Sequence, residues 1–252
     1  MKKLITLISV LMLAGLFALN ANAQEKEELL WLMGEEVVKP EMIEQYYEVS
    51  QELVEFCKAE NFPYAFYVWV SQPFHYSLAY PLEEMNDITK MEEAWKALLE
   101  KWGEEKYQRF QECIETQNEK VMVGLMDFSY FPESGAENEE ENNYCYWQEI
   151  TVKKGSEKAF EEVLKKAVGL MTEKGSELAT YVGKGKTGYD LPLYFAWYYG
   201  KDQMDFLEKE KKFGELMGDD WKEINSHIIK HIKGIKNVDF WYAKELSYPK
   251  AE

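Results

Sequence analysis

The feature that most constrains this 252-residue sequence is that it states one order of features twice. A chain built this way has to pack two like units against each other, so internal similarity is read before local detail. Laying residues 37–70 over 151–184 brings Val38-Lys39 onto Val152-Lys153, Tyr46 onto Phe160, Phe56-Cys57 onto Leu170-Met171 and Tyr67-Val68 onto Tyr181-Val182. One further residue of shift sets Asp87 on Asp202, Gly103-Glu104-Glu105 on Gly218-Asp219-Asp220 and Cys113-Ile114 on Ile228-Ile229. The segment SYFP at 129–132 is echoed by LSYP at 246–249. Identities are few, but the order agrees throughout. Between the copies, ESGAENEEEN at 133–142 is acidic and carries no apolar residue larger than Ala136, as a solvated linker does. The expected organisation is a leader at 1–23, a first unit at 24–132, a linker at 133–142 and a second unit at 143–252.

Each copy yields the same succession of elements. A strand (29–38; 144–152) leads into an amphipathic helix, with Met42, Tyr46, Val49, Leu53 and Phe56 at helical spacing in one copy and Phe160, Val163, Ala167 and Leu170 in the other. Two strands follow (64–70 and 76–80; 178–182 and 193–198). A helix then opens at Asp87 or Asp202 and breaks at Gly103 or Gly218. Another runs to about Gln117 or Gly234, and a last strand closes the copy (121–128; 238–246).

The amino terminus carries a different signal. Lys2 and Lys3 precede an apolar run over 4–19, and Ala21-Asn22-Ala23 supplies a small-x-small cleavage pattern. The run falls short of the roughly 20 residues of a membrane span. Export to the periplasm or beyond is expected, with cleavage before Gln24 and no stable membrane insertion afterwards. Losing the two lysines moves the formal charge from −17 to −19. A chain so acidic, with no basic stripe, repels nucleic acid. Hydrophobic residues at 46% and aromatics at 15% suffice for a real core. The three widely spaced cysteines, Cys57, Cys113 and Cys145, do not form a disulfide framework. Cys57 and Cys113 sit at apolar helix positions, as core thiols do.

The order β-α-β-β-α-α-β in units of about 110 residues, with TVKKGSEKAFEEVLKK (151–166) as a strand-to-helix entry, resembles the dimeric α+β barrel superfamily. Its members include the antibiotic-biosynthesis monooxygenases, the NIPSNAP proteins and the chlorite dismutases. The resemblance implies two ferredoxin-like sheets meeting face to face, usually from two chains. Here both would come from one chain. The expected fold is α+β, with two ferredoxin-like βαββααβ repeats packed as one intramolecular α+β barrel, standing as a monomer or weak homodimer. Cofactor-free oxygenase or isomerase chemistry is one activity the resemblance implies. It also allows haem ligation by a histidine such as His227 or His231, but no haem motif accompanies either, so no cofactor is expected.

Gly185-Lys186-Thr187 copies the tail of a phosphate-binding P-loop. That loop needs a further glycine where Thr180 stands and a helix afterwards, whereas an aromatic strand follows. His227 and His231 lie one helical turn apart without a third ligand, which is equally the pattern of a helix flank, and no metal site is expected. His75, at the start of a strand, is the candidate catalytic acid or base; a solvated turn residue is the plainer alternative. The densest signal is aromatic. Tyr67 and Trp69 in one copy, and Tyr181, Tyr194 and Trp197 in the other, are the candidate ligand-binding residues of a space between the sheets. The functions expected are an exported binding protein for a small apolar or aromatic ligand held there, an enzyme of the oxygenase or isomerase type, or an envelope or stress protein acting through surface contacts.

Overall fold

The structure, a computed structural model, describes residues 28–71, 74–132 and 142–249. The leader expected at 1–23 and nearly all of the linker expected at 133–142 lie outside the described residues. The first half comprises β1 (Glu28–Val38), α1 (Ile43–Ala59), β2 (Tyr67–Ser71), β3 (His75–Leu82), α2 (Asp87–Trp102), α3 (Glu104–Cys113) and β4 (Ile114–Leu125). The second comprises β5 (Tyr144–Val152), α4 (Glu157–Lys174), β6 (Tyr181–Thr187), β7 (Leu193–Gly200), α5 (Gln203–His231) and β8 (Ile232–Tyr242). Gly218, with φ 56° and ψ −132°, breaks α5 into two helical stretches, so both halves run β-α-β-β-α-α-β.

Each half forms an antiparallel sheet, ordered β4-β1-β3-β2 and β8-β5-β7-β6, and the two close into one eight-stranded barrel. One seam joins β4 to β6 from Val121↔Thr187 to Gly124↔Gly183. The other joins β2 to β8 through Trp69↔Tyr242 and Val70↔Trp241. The two echoed tails reinforce these seams reciprocally. Tyr130 bridges to Thr180, and the Val182 N–H donates to Ser129 Oγ at 2.9 Å. Tyr248 bridges to Phe66, and the Val68 N–H donates to Ser247 Oγ at 2.8 Å. The Tyr130 and Tyr248 hydroxyls reach back to the Ser176 and Phe62 carbonyls, at 2.8 and 3.1 Å. Each half thus ends by satisfying buried backbone groups of the other.

Strand alternation divides the side chains into two kinds of core. In β1, Leu30, Leu32 and Val38 face the helices and join Tyr46, Val54 and Cys57. Trp31 and Met33 face the barrel interior, where they meet Trp147, Phe195 and Trp197 of the other half. The three cysteines are buried and unpaired. Several boundaries differ from the sequence reading; β2 starts at Tyr67 rather than 64, and β6 runs Tyr181–Thr187 rather than 178–182. The helices end at Cys113 and His231, and β4 and β8 begin there, earlier than expected. The stretches IETQNEK and IKGIKN are polar and carry no buried alternation, yet β1 and β5 pair with them along their length. The stretch after Gly218 is also three residues longer than the one after Gly103, so Cys113 corresponds to His231: their carbonyls accept from Lys39 and Lys153 N–H respectively.

Candidate functional site

The residues singled out by sequence fall in three places. Trp69, Tyr181 and Trp197 lie in the barrel interior, and Tyr67 shares the face of Trp69 by alternation. The rings there pack on one another: Trp147 stacks on Trp197 at 5.1 Å, Tyr181 on Trp197 at 5.6 Å, and Trp69 meets Tyr199 at 5.6 Å. Tyr194 points the other way, beneath α4, where it packs edge-on against Phe160 and donates to Glu161, a carboxylate also held by Lys184 at 3.0 Å. His75 is exposed at the start of β3, opposite Val37 and Ser71. The space between the sheets is thus lined by aromatic side chains of both halves, several of them only partly buried.

A cavity of about 660 Å³ lies instead on the outer face of the first sheet, under α1, α2 and α3. Leu32, Phe66, Tyr80, Trp95 and Phe110 give it apolar walls. At its sheet side is Glu36, 3% exposed. Both carboxylate oxygens accept hydrogen bonds, one from the Tyr46 hydroxyl at 2.6 Å and the other from Gln117 Nε2 at 3.1 Å. Both donors are neutral. Burial raises the Glu36 pKa from an ordinary 4.5 to about 7, against the partial opposition of the Tyr46 hydrogen bond. The same burial, with the neighbouring carboxylate, holds the Tyr46 phenol well above its usual range. Ser50, one turn along α1 and 8% exposed, also lines the cavity. Its hydroxyl is near enough to ease Tyr46's ionisation slightly, but it meets no partner within hydrogen-bond geometry.

The second half shows that the fold does not require this polar group. Strand register places Ile150 where the first half has Glu36, and Ile235 where it has Gln117. Helix correspondence places Phe160 at Tyr46 and Leu164 at Ser50. There Ile150, Phe160, Leu164, Tyr194 and Ile228 pack into a continuous core. Two halves of one architecture thus differ by an apolar set in one and a buried carboxyl, phenol, hydroxyl and amide in the other. Sequence reading passed over Glu36 among 46 acidic residues. The available signal was positional: a carboxylate on the helix-facing alternation of an otherwise apolar strand, aligned with isoleucine in the second copy.

The P-loop-like stretch lies in a strand. Lys184 and Gly185 pair with Val123 and Met122, Lys186 is exposed, and no helix N-terminus follows. His227 is exposed beside a groove of about 340 Å³ between α4 and α5, lined also by Lys166, Glu173, Lys174 and Asp220. Neither His227 nor His231 lines the larger cavity, whose lining carries no histidine or cysteine. Among the described residues no three His, Cys, Asp or Glu side chains converge as metal ligands, and no helix is long and apolar enough to cross a membrane.

No family model matches the chain, and no curated protein matches it by sequence. Solved structures do share its architecture. An anthrone oxidase-like protein superposes with a TM-score of 0.57 at 14% identity, covering 90% of this chain and 95% of that one. A candidate monooxygenase of Fusobacterium nucleatum gives 0.57 at 13%, covering 86% and 93%. Another from Lactobacillus acidophilus NCFM gives 0.54 at 7%, covering 90% and 98%. At such identities the likeness shows the fold alone, and the fold of this chain is the ferredoxin-like α+β barrel.

Proposed function

We propose that this chain is an exported protein that binds a small apolar or aromatic molecule in the cavity beneath the first-half helices. One observation carries this reading: a ring-walled cavity of about 660 Å³ that reaches a buried, hydrogen-bonded Glu36. Ligand sites are typically concave, mostly apolar and fitted with a few convergent polar groups, and this cavity has that composition. The reading places the ligand beneath these helices rather than between the sheets because the cavity there combines apolar walls with a buried carboxyl.

A second reading, an oxygenase or isomerase that moves a proton, is favoured by one specific feature. A carboxyl with a pKa of about 7, linked to a phenol, is poised to accept or return a proton at neutral pH. The monooxygenase names of the structural neighbours agree with that chemistry. Binding and turnover separate experimentally. Titration with the neutral probe 2-naphthylmethanol should quench tryptophan fluorescence, through Trp95 in the wall. Filling the cavity with Leu78→Trp should weaken that binding at least tenfold while leaving the circular dichroism unchanged. Unaltered binding in the filled variant would reject the cavity as the site. Export is tested by intact mass: protein recovered from the producing cell's periplasm or medium should begin at Gln24, and a full-length cytosolic chain would reject it.

A further inference from the structure

Glu36 is a buried carboxyl held without a positive partner: the side chains that hold it, Tyr46 and Gln117, are neutral. A carboxylate removed from water is costly unless a positive charge meets it. Other carboxylates along the chain are met in this way: Lys184 meets Glu161, and Lys120 meets Glu35. Around Glu36, the rings of Tyr46, Phe66, Tyr80, Trp95 and Phe110 line the same cavity. Tyr46 and Phe110 stack at 5.6 Å, and Phe66 lies 5.6 Å from Trp95 and 5.8 Å from Tyr80. The remaining charged residues lining the cavity are Glu92, Glu100, Glu104 and Glu119 against Lys96. Ser50, one turn from Tyr46, also lines the cavity, with its hydroxyl oxygen itself buried.

Resting on the cavity-binding reading above, we infer that the ligand is a lipophilic organic cation: a protonated amine on an aromatic or apolar body, with its ammonium set against Glu36. Three features of the site match this chemistry. Ring faces attract a cation, more strongly where water is excluded. The acidic rim raises the local concentration of cations and repels anions. The ammonium N–H groups supply donors that the Glu36 carboxylate can still accept, and its charge supplies what the neutral partners lack. A neutral ligand of the same shape satisfies the walls but leaves the carboxylate uncompensated. The second half, with Ile150 and Phe160 at the matching positions, has neither the charge nor the space.

The test uses three probes that share one ring system: 2-naphthylmethylamine (cationic), 2-naphthylmethanol (neutral) and 2-naphthoate (anionic). Calorimetry on the leader-free chain at pH 8 should show the amine binding about tenfold tighter than the alcohol, with naphthoate weakest. Between pH 8 and 6, amine affinity should fall about tenfold as Glu36 takes up its proton, with the alcohol little changed. The other groups facing Glu36 are Tyr46 on α1, Tyr76 and Tyr80 on β3, and Gln117 and Glu119 on β4. The phenols stay protonated over that range because burial raises all three. Glu36→Gln should remove the amine's advantage and leave the alcohol's affinity intact. The double variant Glu36→Ile/Tyr46→Phe, which copies the pair the second half already folds with, should do the same. An amine preference that survives both variants would overturn the role of Glu36. Equal or tighter binding of the alcohol or the naphthoate would overturn the cationic ligand while leaving the cavity as a binding site. No binding of any probe would overturn the cavity reading with it.

Discussion

At the scale of single residues, Glu36 holds both the stability cost and the chemistry of the site. Its pKa is about 7 in the folded chain and near 4.5 once exposed. Below about pH 4 it is protonated in both states and contributes nothing to pH dependence. Between those values the unfolded chain has lost a proton that the folded chain keeps, so stability falls as pH rises. Above 7 the full penalty of burying the anion is in place, at most about 3 kcal/mol. Glu36→Gln should therefore gain stability over the wild type by about 2–3 kcal/mol more at pH 8 than at pH 5, read from urea midpoints at the two pH values. A difference independent of pH would contradict the burial-driven shift. The cavity's chemistry was legible in the sequence only as a misfit of pattern, because a carboxylate's meaning depends on which face of the strand it occupies and on what packs across from it. The aromatic residues were legible as a class, but their direction was not. Tyr194 and Trp197 are three residues apart on one strand and face opposite layers.

At the scale of elements, β6 shows how tertiary pairing overrides a short motif. Gly185-Lys186-Thr187 continues β6 because β4 pairs with it, at Met122↔Gly185 and Val121↔Thr187. Lys186→Ala should then change stability by less than about 0.5 kcal/mol, and the wild type should give no heat with ATP by calorimetry. The turn that follows is the sensitive point. Gly188 has φ 81°, and a Cβ there would stand 2.9 Å from the Glu119 carbonyl and 3.0 Å from Lys120 Cγ. Gly188→Ala should cost about 2 kcal/mol or more in denaturant unfolding through left-handed strain and that clash, whereas Gly214→Ala, with open space around its Cβ, should not destabilise. The order of strands and helices was readable from hydrophobic periodicity. The starts of β4 and β8 were not, since their first turns of sequence are polar and their pairing is dictated by β1 and β5.

At the scale of the whole molecule, the barrel depends on each half completing the other. Ser129 and Ser247 are 8% and 2% exposed and accept from Val182 and Val68 across the seams. Removing either hydroxyl strands a buried N–H, so Ser129→Ala and Ser247→Ala should each cost about 1–3 kcal/mol, and the double variant about the sum, since the two seams are separate. The interior face of either sheet, carrying Trp31 and Trp69 or Trp147 and Trp197, would be an aromatic patch if uncovered. Residues 24–132 or 143–252 produced alone should dimerise or aggregate by light scattering, whereas the whole leader-free chain remains a monomer or weak dimer. Two soluble, monomeric half-chains would refute that dependence.

The sequence by itself determined the α+β class, the repeated order of elements and the closure of two sheets into one barrel. Class and element order follow from periodicity, which local patterns carry directly, while closure was implied by the resemblance to the α+β barrel proteins and by the need to cover two aromatic faces. Tertiary structure alone decided where a ligand has room. The two halves have nearly the same element list, yet Ile150, Phe160 and Leu164 pack together beneath one helix layer while the other leaves a cavity beside Glu36 and Tyr46. The difference is a matter of volume and desolvation summed over side chains from seven elements, and neither quantity is a property of any stretch of sequence taken alone.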